Sequence, residues 1–261
     1  MNRKTIMAKN PNNIKPTTGA HPAGVAHIAT LDLVAATLER LDGRRSGLPG
    51  IAVLHGPAGW GKTFATNVLA NELRAYYVQW RSAWRSKTLL EKILFEMGVK
   101  QHGRETVPKL LDMVCEQLST SRRTLILDEF DYATKNDTLI ELTRDIYEGS
   151  QGSLLLVGEE LLPKKLEKWE RFHSRVLTWA PAQPVTVDDA AKLANIYAPG
   201  LQIDDAVFER LVDLAKGSVR RVSVNLTQMH EHSLTHGVDE FSMAEFEQVS
   251  IYTGRSPERR L

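Results

Sequence analysis

One continuous stretch constrains this chain more than any other. Ile51-Ala52-Val53-Leu54 is followed by Gly56-Pro57-Ala58-Gly59-Trp60-Gly61-Lys62-Thr63, and then by a helical pattern over Thr63–Arg74. A short apolar run of this kind is consistent with a strand covered on both faces, as in a parallel sheet. The glycines after it let the backbone wrap closely, and the loop follows a strand and opens a helix, as a loop of this pattern requires. Further strands are expected at Tyr76–Trp80, Thr124–Leu127, Ser153–Val157 and Val176–Trp179. Helices are expected between them at about Lys87–Met97, Val107–Ser119, around Leu139, Leu142 and Ile146, and at Pro163–Phe172. Alternation of strands with helices predicts an α/β fold with a parallel sheet flanked by helices.

The flanks are organised differently. From Ile28 to Leu41, Leu31, Val34, Ala35, Leu38 and Leu41 fall at helical spacing, with Thr30 placed to cap that helix. Pro181-Ala182-Gln183-Pro184 marks a break in composition. No strand is expected beyond it, only helices at about Val187–Tyr197, Asp204–Lys216, Val219–Thr235 and Ser242–Tyr252. The expected division is a disordered basic arm over 1–20, an α/β domain over 21–181, a small helical lid over 182–253 and a flexible tail over 254–261. The arm carries Arg3, Lys4, Lys9 and Lys15 and too few apolar residues to offset ordering.

The loop Gly56–Thr63 satisfies G-x-x-x-x-G-K-[ST]. Its backbone N–H groups point inward at phosphate oxygens, and the helix beginning near Lys62 adds the positive end of its dipole. On this pattern Gly56, Pro57, Ala58, Gly59, Trp60, Gly61, Lys62 and Thr63 cradle ATP. Lys62 reaches the β and γ phosphates, and the Thr63 hydroxyl ligates Mg²⁺. Trp60, a bulky ring at a variable loop position, either leans on the nucleotide or packs on the neighbouring lid.

Two helices and a strand later, the apolar run Leu125-Ile126-Leu127 ends in Asp128-Glu129. In P-loop ATPases the first acid at this place holds Mg²⁺, and the second accepts a proton from the attacking water. Asp128 is accordingly assigned to the metal and Glu129 to the base. Asp131 is expected to be a surface or capping acid.

The loop GPAGWGKT, the strands LILDEFD and LLLVGEE, and the segments RFHSRV and GSVRR stand in the order used by the AAA+ ATPases. The chain resembles that family over about residues 25–235. Within it, YYVQWRSAWRSKTLLEKILFEMG, TLIELTRDIYEGSQGSLLLVGEELL and PVTVDDAAKLA look most like the Mu B, TniB and TnsC ATPases of DNA transposition. The resemblance implies that Arg175, with Arg171 in reserve, reaches into the ATP site of the next subunit. It also implies that Arg220, or Arg221 beside it, senses the γ-phosphate. One departure stands out. Many AAA+ proteins end the fourth strand with Asn, Thr or Ser, whereas this chain has Gly158-Glu159, and an ionised carboxylate donates no hydrogen bond. Slow turnover, stimulated by DNA or a partner, is expected.

Trp80-Arg81-Ser82-Ala83-Trp84-Arg85-Ser86-Lys87 packs cations among aromatics. In the transposition ATPases the region after this strand faces DNA, so Arg81, Arg85 and Lys87 are expected to touch the backbone without reading sequence. The net charge of +1 argues for such a local patch over a wholly basic surface. The resemblance implies a homo-oligomeric ring or helical filament on double-stranded DNA, with a transposase as partner. Two alternatives are a replication-initiation or helicase-loading ATPase, and an adaptor that binds ATP without turning it over. A secretion-linked ATPase of this class would need a membrane segment, and no stretch approaches the ~18 apolar residues that one requires.

The remaining expectations are modest. The single cysteine, Cys115, permits no intramolecular disulfide and is expected to be a small buried residue. The N-terminal segment has no apolar signal region, so a soluble cytoplasmic protein is expected. His230, His232 and His236 do not make H-E-x-x-H and are expected to be solvated.

Overall fold

A computed structural model describes residues 24–254. The expected arm over 1–20 and the tail beyond Gly254 lie outside the described residues. Helix α1 (Ala29–Asp42) precedes β1 (Ile51–His55), α2 (Lys62–Glu72), β2 (Tyr76–Gln79), α3 (Ser86–Glu96), α4 (Val107–Ser121) and β3 (Leu125–Asp128). A 3-10 turn over Phe130–Lys135 leads to α5 (Asp137–Ser150), β4 (Leu154–Gly158), α6 (Leu162–Leu166), α7 (Glu170–His173) and β5 (Val176–Pro181). Then come α8 (Val187–Tyr197), β6 (Gln202–Ile203), α9 (Asp205–Ala215), α10 (Val219–His236), β7 (Glu240–Phe241) and α11 (Met243–Phe246).

The five main strands form one parallel sheet in the order β2-β3-β4-β1-β5. Successive side chains of a strand point to opposite faces, and the sequence fills both. Ala52, Leu54, Ile126, Leu155 and Val157 face one apolar cluster, and Ile51, Val53, Leu125, Leu127, Leu154 and Leu156 face the other. The second face is covered by α3, α4 and α5 through residues such as Leu90, Ile93, Val114 and Ile146, all fully buried. The first is covered by α1 and α2, and the same cluster runs on into Leu193, Leu211, Val222 and Leu226 of the C-terminal helices. Each buried Leu or Val removed from water contributes about 1.5–3 kcal/mol. This shared core therefore ties the C-terminal helices to the sheet.

The Pro181–Pro184 break is stitched down. Thr30 does not cap α1. Its hydroxyl donates to Gln183 O at 3.1 Å and accepts from Gln183 N at 3.2 Å, and Ile28, the residue before that helix, supplies no side-chain cap. Asp189 makes a capping box with Thr186 on α8 and also accepts from Ala29 N at 3.0 Å, so one buried carboxylate secures the starts of two helices.

Three expected elements differ. The helix over Pro163–Phe172 is broken at Trp169, where the turn lets Phe172 stack on Phe130 with centroids 6.1 Å apart. The helix over Ser242–Tyr252 stops at Phe246, and buried Asn225 takes up the Tyr252 backbone instead, accepting from its N–H at 2.7 Å and donating to its C=O at 3.1 Å. Strands do occur beyond residue 184: β6 and β7 pair in parallel, with Gln202 opposite Glu240 and Ile203 opposite Phe241. Two residues are too few to show a period-2 pattern.

Two single-residue expectations also change. Cys115 is half-buried, and Gly149 gives it room, since a Cβ there would stand 2.8 Å from Sγ. His232 is not solvated. Its side chain is only 13% exposed, contacts Glu245 at 3.2 Å and stacks on His236 at 4.0 Å, while His236 itself is exposed. No helix among the described residues is long and apolar enough to cross a membrane.

Candidate nucleotide site

In an open parallel sheet, ligands bind in the crevice beyond the carboxyl ends of the strands. Register brings the relevant ends together. His55 at the end of β1 lies opposite Gly158 at the end of β4, and β4 is hydrogen-bonded to β3, which ends in Asp128. The loop after β1, the acids after β3 and Glu159 after β4 therefore share one edge. They line a cleft of about 700 Å³ together with Arg220. Its other end is apolar, formed by Val25, Ile28, Ile196, Tyr197, Val219 and Val224. A ligand with a flat apolar ring at one end and anionic groups at the other fits that polarity.

Gly59 (φ +83°) and Gly61 (φ +82°) take left-handed backbone that favours glycine. Gly61 is the residue before α2, so α2 begins at Lys62 with its first amides turned toward the loop. A Cβ on Gly59 would sit 2.7 Å from Ser218 Oγ. The loop is thus packed against the start of α10, and Arg220 N donates to Gly59 O at 3.2 Å. Trp60 packs against the turn between α9 and α10: a Cβ on Gly217 would meet its ring at 2.6 Å. Trp60 does not line the cleft.

Lys62 Nζ donates to Gly56 O at 2.6 Å and Pro57 O at 2.9 Å. Burial pulls its ammonium below the ordinary lysine range, opposed by the nearby carboxylates of Asp128, Glu129, Asp131 and Glu159. Thr63, exposed at the second position of α2, lines the cleft.

Asp128 is buried, and both its oxygens are engaged: Oδ2 accepts from the Tyr77 hydroxyl at 2.7 Å and Oδ1 from Glu129 N at 2.8 Å. Glu129 is in left-handed backbone at φ +58°. Such a conformation costs a non-glycine residue about 1–3 kcal/mol and persists only where its surroundings impose it. Here the neighbours Asp128 and Phe130 are both buried. Burial raises the Glu129 pKa, and repulsion from Asp128, Asp131 and Glu159 adds to this against the pull of Lys62. A carboxylate held above its usual range is a better proton acceptor.

The donor set fits Mg²⁺. A buried, oriented carboxylate and a hydroxyl at the helix start are hard oxygen ligands facing one cleft.

Asp131 is neither a surface acid nor a helix cap. It is buried, and it accepts from Glu159 N and from Lys165 Nζ, both at 2.6 Å. Of the two adjacent arginines, Arg220 lines the cleft, whereas Arg221 Nη1 turns back to donate to Ala215 O at 3.3 Å. Arg175 is not brought to the cleft of its own chain. It pairs with Glu148 at 3.2 Å, and Arg171 is exposed on α7.

The segment after β2 divides by residue type. Trp80 is buried and Trp84 packs on the core, while Arg81 and Arg85 are exposed and Lys87 pairs with Glu91 at 3.8 Å. Tyr77 and Lys165 escaped the sequence pattern. Tyr77 matters only because β2 lies beside β3 with Gln79 opposite Asp128, and no local motif reports that register.

A protein-family model described as "AAA domain" matches residues 45–166. That segment holds the phosphate loop, Asp128-Glu129 and Glu159. Among curated proteins no relative matches. The fold is similar to that of the Orc1 protein of Aeropyrum pernix, solved in complex with DNA, at 22% identity and a TM-score of 0.58 over 84% of this chain. The chain spans 63% of that protein's length. It is also similar to the Holliday junction branch migration motor RuvB of Thermotoga maritima (18% identity, TM-score 0.57, 88% of this chain and 71% of that one). A third similar structure is Cdc6p of Pyrobaculum aerophilum (16% identity, TM-score 0.60, 90% of this chain and 68% of that one). The fold is that of a P-loop AAA+ protein, with helices C-terminal to the sheet.

Proposed function

We propose that this chain is an ATP-hydrolysing AAA+ protein that acts on double-stranded DNA as a head-to-tail homo-oligomer. The observation that carries the nucleotide part is the single cleft joining Lys62, Thr63, Asp128, Glu129 and Arg220 to an apolar end. In this reading the loop amides and Lys62 bind the phosphates of ATP, and Arg220 closes on them from the lid. Thr63 and Asp128 would hold Mg²⁺, which when bound neutralises phosphate charge. Glu129 takes the proton of the attacking water, and Tyr77 keeps Asp128 oriented. Residues 182–253 act as the lid, because α10 is bonded directly to the phosphate loop through Gly59.

The trans role of Arg175 rests on its place before β5 and on its exposure to a neighbour. Breaking an exposed pair with Glu148 is a small cost, about 0–1 kcal/mol. A head-to-tail contact makes a ring if it closes and a filament if it does not. The DNA part is supported by exposed Arg81 and Arg85 and by the likeness to Orc1, solved with DNA, and to RuvB, named as a branch migration motor. Delivery of target DNA to a transposase is the finer reading, and it rests on the resemblance of the segments over 76–98, 138–162 and 184–194 to Mu B, TniB and TnsC. Replication initiation or helicase loading is the second reading, and the likeness to Orc1, solved with DNA, is compatible with it.

Electron microscopy of the protein with linear duplex DNA, with and without ATP and Mg²⁺, tests the proposal alongside hydrolysis assays. ATP-dependent assemblies on DNA that Lys62→Ala abolishes are the expected result. Tight ATP binding without turnover, under DNA or any added protein, would leave an adaptor instead. No assembly on DNA with any nucleotide would remove the DNA part.

A further inference from the structure

The charged floor of the cleft holds more negative than positive groups. Asp128, Glu129 and Glu159 face Lys62 and Arg220. ATP is itself polyanionic, so an uncompensated Glu159 would repel it. Glu159 is held in place by its backbone, which donates to Asp131 Oδ2 at 2.6 Å, while its side chain is 68% exposed. Gly158 just before it has no alternative, since a Cβ there would collide with Asp131 Oδ2 and with Leu162.

Lys165 arrives from α6. Its ammonium lies 2.6 Å from Asp131 Oδ1 and 3.5 Å from Glu159 Oε2. The hydrogen bond to Asp131 pushes Lys165 above the ordinary lysine range, so it stays charged. The contact with Asp131 anchors α6 to the turn after β3. The contact with exposed Glu159 adds little to folding, as exposed pairs generally do, but it sets the charge at the edge of the cleft.

We propose that Lys165 is a positioning residue of the nucleotide site. By neutralising Glu159 it admits the terminal phosphate of ATP. It also engages one Glu159 oxygen and leaves the other to accept a hydrogen bond from the attacking water. Asp131 is the buried anchor of both partners. The inference rests on the ATP reading above.

The test is a double-mutant cycle with Lys165→Met, Glu159→Gln and the double variant, together with Lys165→Arg. Binding of a fluorescent ATP analogue with Mg²⁺, steady-state hydrolysis and thermal melts are measured on the full chain. Lys165→Met is expected to weaken binding about fivefold, the upper end for a part-exposed pair. In the Glu159→Gln background the same change should have little effect, and Lys165→Arg should restore both binding and turnover. Equal losses in both backgrounds would overturn the proposal and leave Lys165 as a fold anchor only. Should Lys165→Met fail to fold, Glu159→Gln alone decides: tighter binding supports the proposal, and weaker binding overturns it. A wild-type chain that binds no ATP would take down the ATP reading itself, an outcome distinct from wild-type binding with no coupling.

Discussion

The phenol of Tyr77 on β2 donates to Asp128 Oδ2 on β3 at 2.7 Å. Burial and the Asp128 carboxylate hold the Tyr77 pKa above its ordinary value, so the phenol remains a donor across the working pH range. A side chain that hydrogen-bonds a metal ligand fixes its orientation, and losing one typically costs 10–100-fold in metal affinity or activity. Tyr77→Phe should raise the Mg²⁺ concentration for half-maximal hydrolysis by at least ~10-fold. Magnesium titration of wild type and variant checks this. An unchanged midpoint would place Asp128 outside metal binding.

Lys62 sets a pH dependence. In the proposed function its protonated form binds phosphate, and burial lowers its pKa. ATP affinity should therefore fall, as pH rises, at lower pH than a lysine near ~10.4 would dictate. Lys62→Arg keeps its charge throughout and should lose that alkaline limb even if its affinity is poorer. Binding curves between neutral and alkaline pH decide this. A limb that persists in the arginine variant would assign it to another group.

Arg220 and Arg221 should separate. Arg220→Ala removes a cleft cation and is expected to weaken ATP binding about tenfold, in line with a hydrogen bond to a charged group, with the melt unchanged. Arg221→Ala removes a donor to the C-terminal end of α9 and should lower thermal stability while sparing affinity. Reversed effects would show that Arg221, not Arg220, meets the bound nucleotide.

Gly217→Ala introduces a Cβ 2.6 Å from the Trp60 ring at a residue with φ +79°. Strain and overpacking together should cost about 1–3 kcal/mol. Because Trp60 belongs to the phosphate loop, ATP affinity should drop as well. Denaturant melts and nucleotide titration read the two effects. Wild-type values for both would mean that the loop and lid are not coupled through this contact.

The alternation of strands and helices and the strand–loop–helix unit were legible in the order of residues alone. The sequence also marked Lys62, Thr63, Asp128 and Glu129 as candidates, because periodicity, glycine spacing and an apolar run ending in acids are local signals carried by consecutive residues. Its errors were local as well. The helix after Phe246 gave way to a hydrogen-bond pair from distant Asn225, and the Pro163–Phe172 helix gave way to the stacking of Phe172 on Phe130. The rest came from how the folded chain packs. Strand order set Tyr77 beside Asp128, a crossover set Asp131 under Glu159, and the start of α10 gave Arg220 rather than Arg221 to the cleft. These are contacts between segments far apart in the chain, fixed by which face of the sheet each helix must bury, and that long-range packing leaves no periodic trace in the sequence.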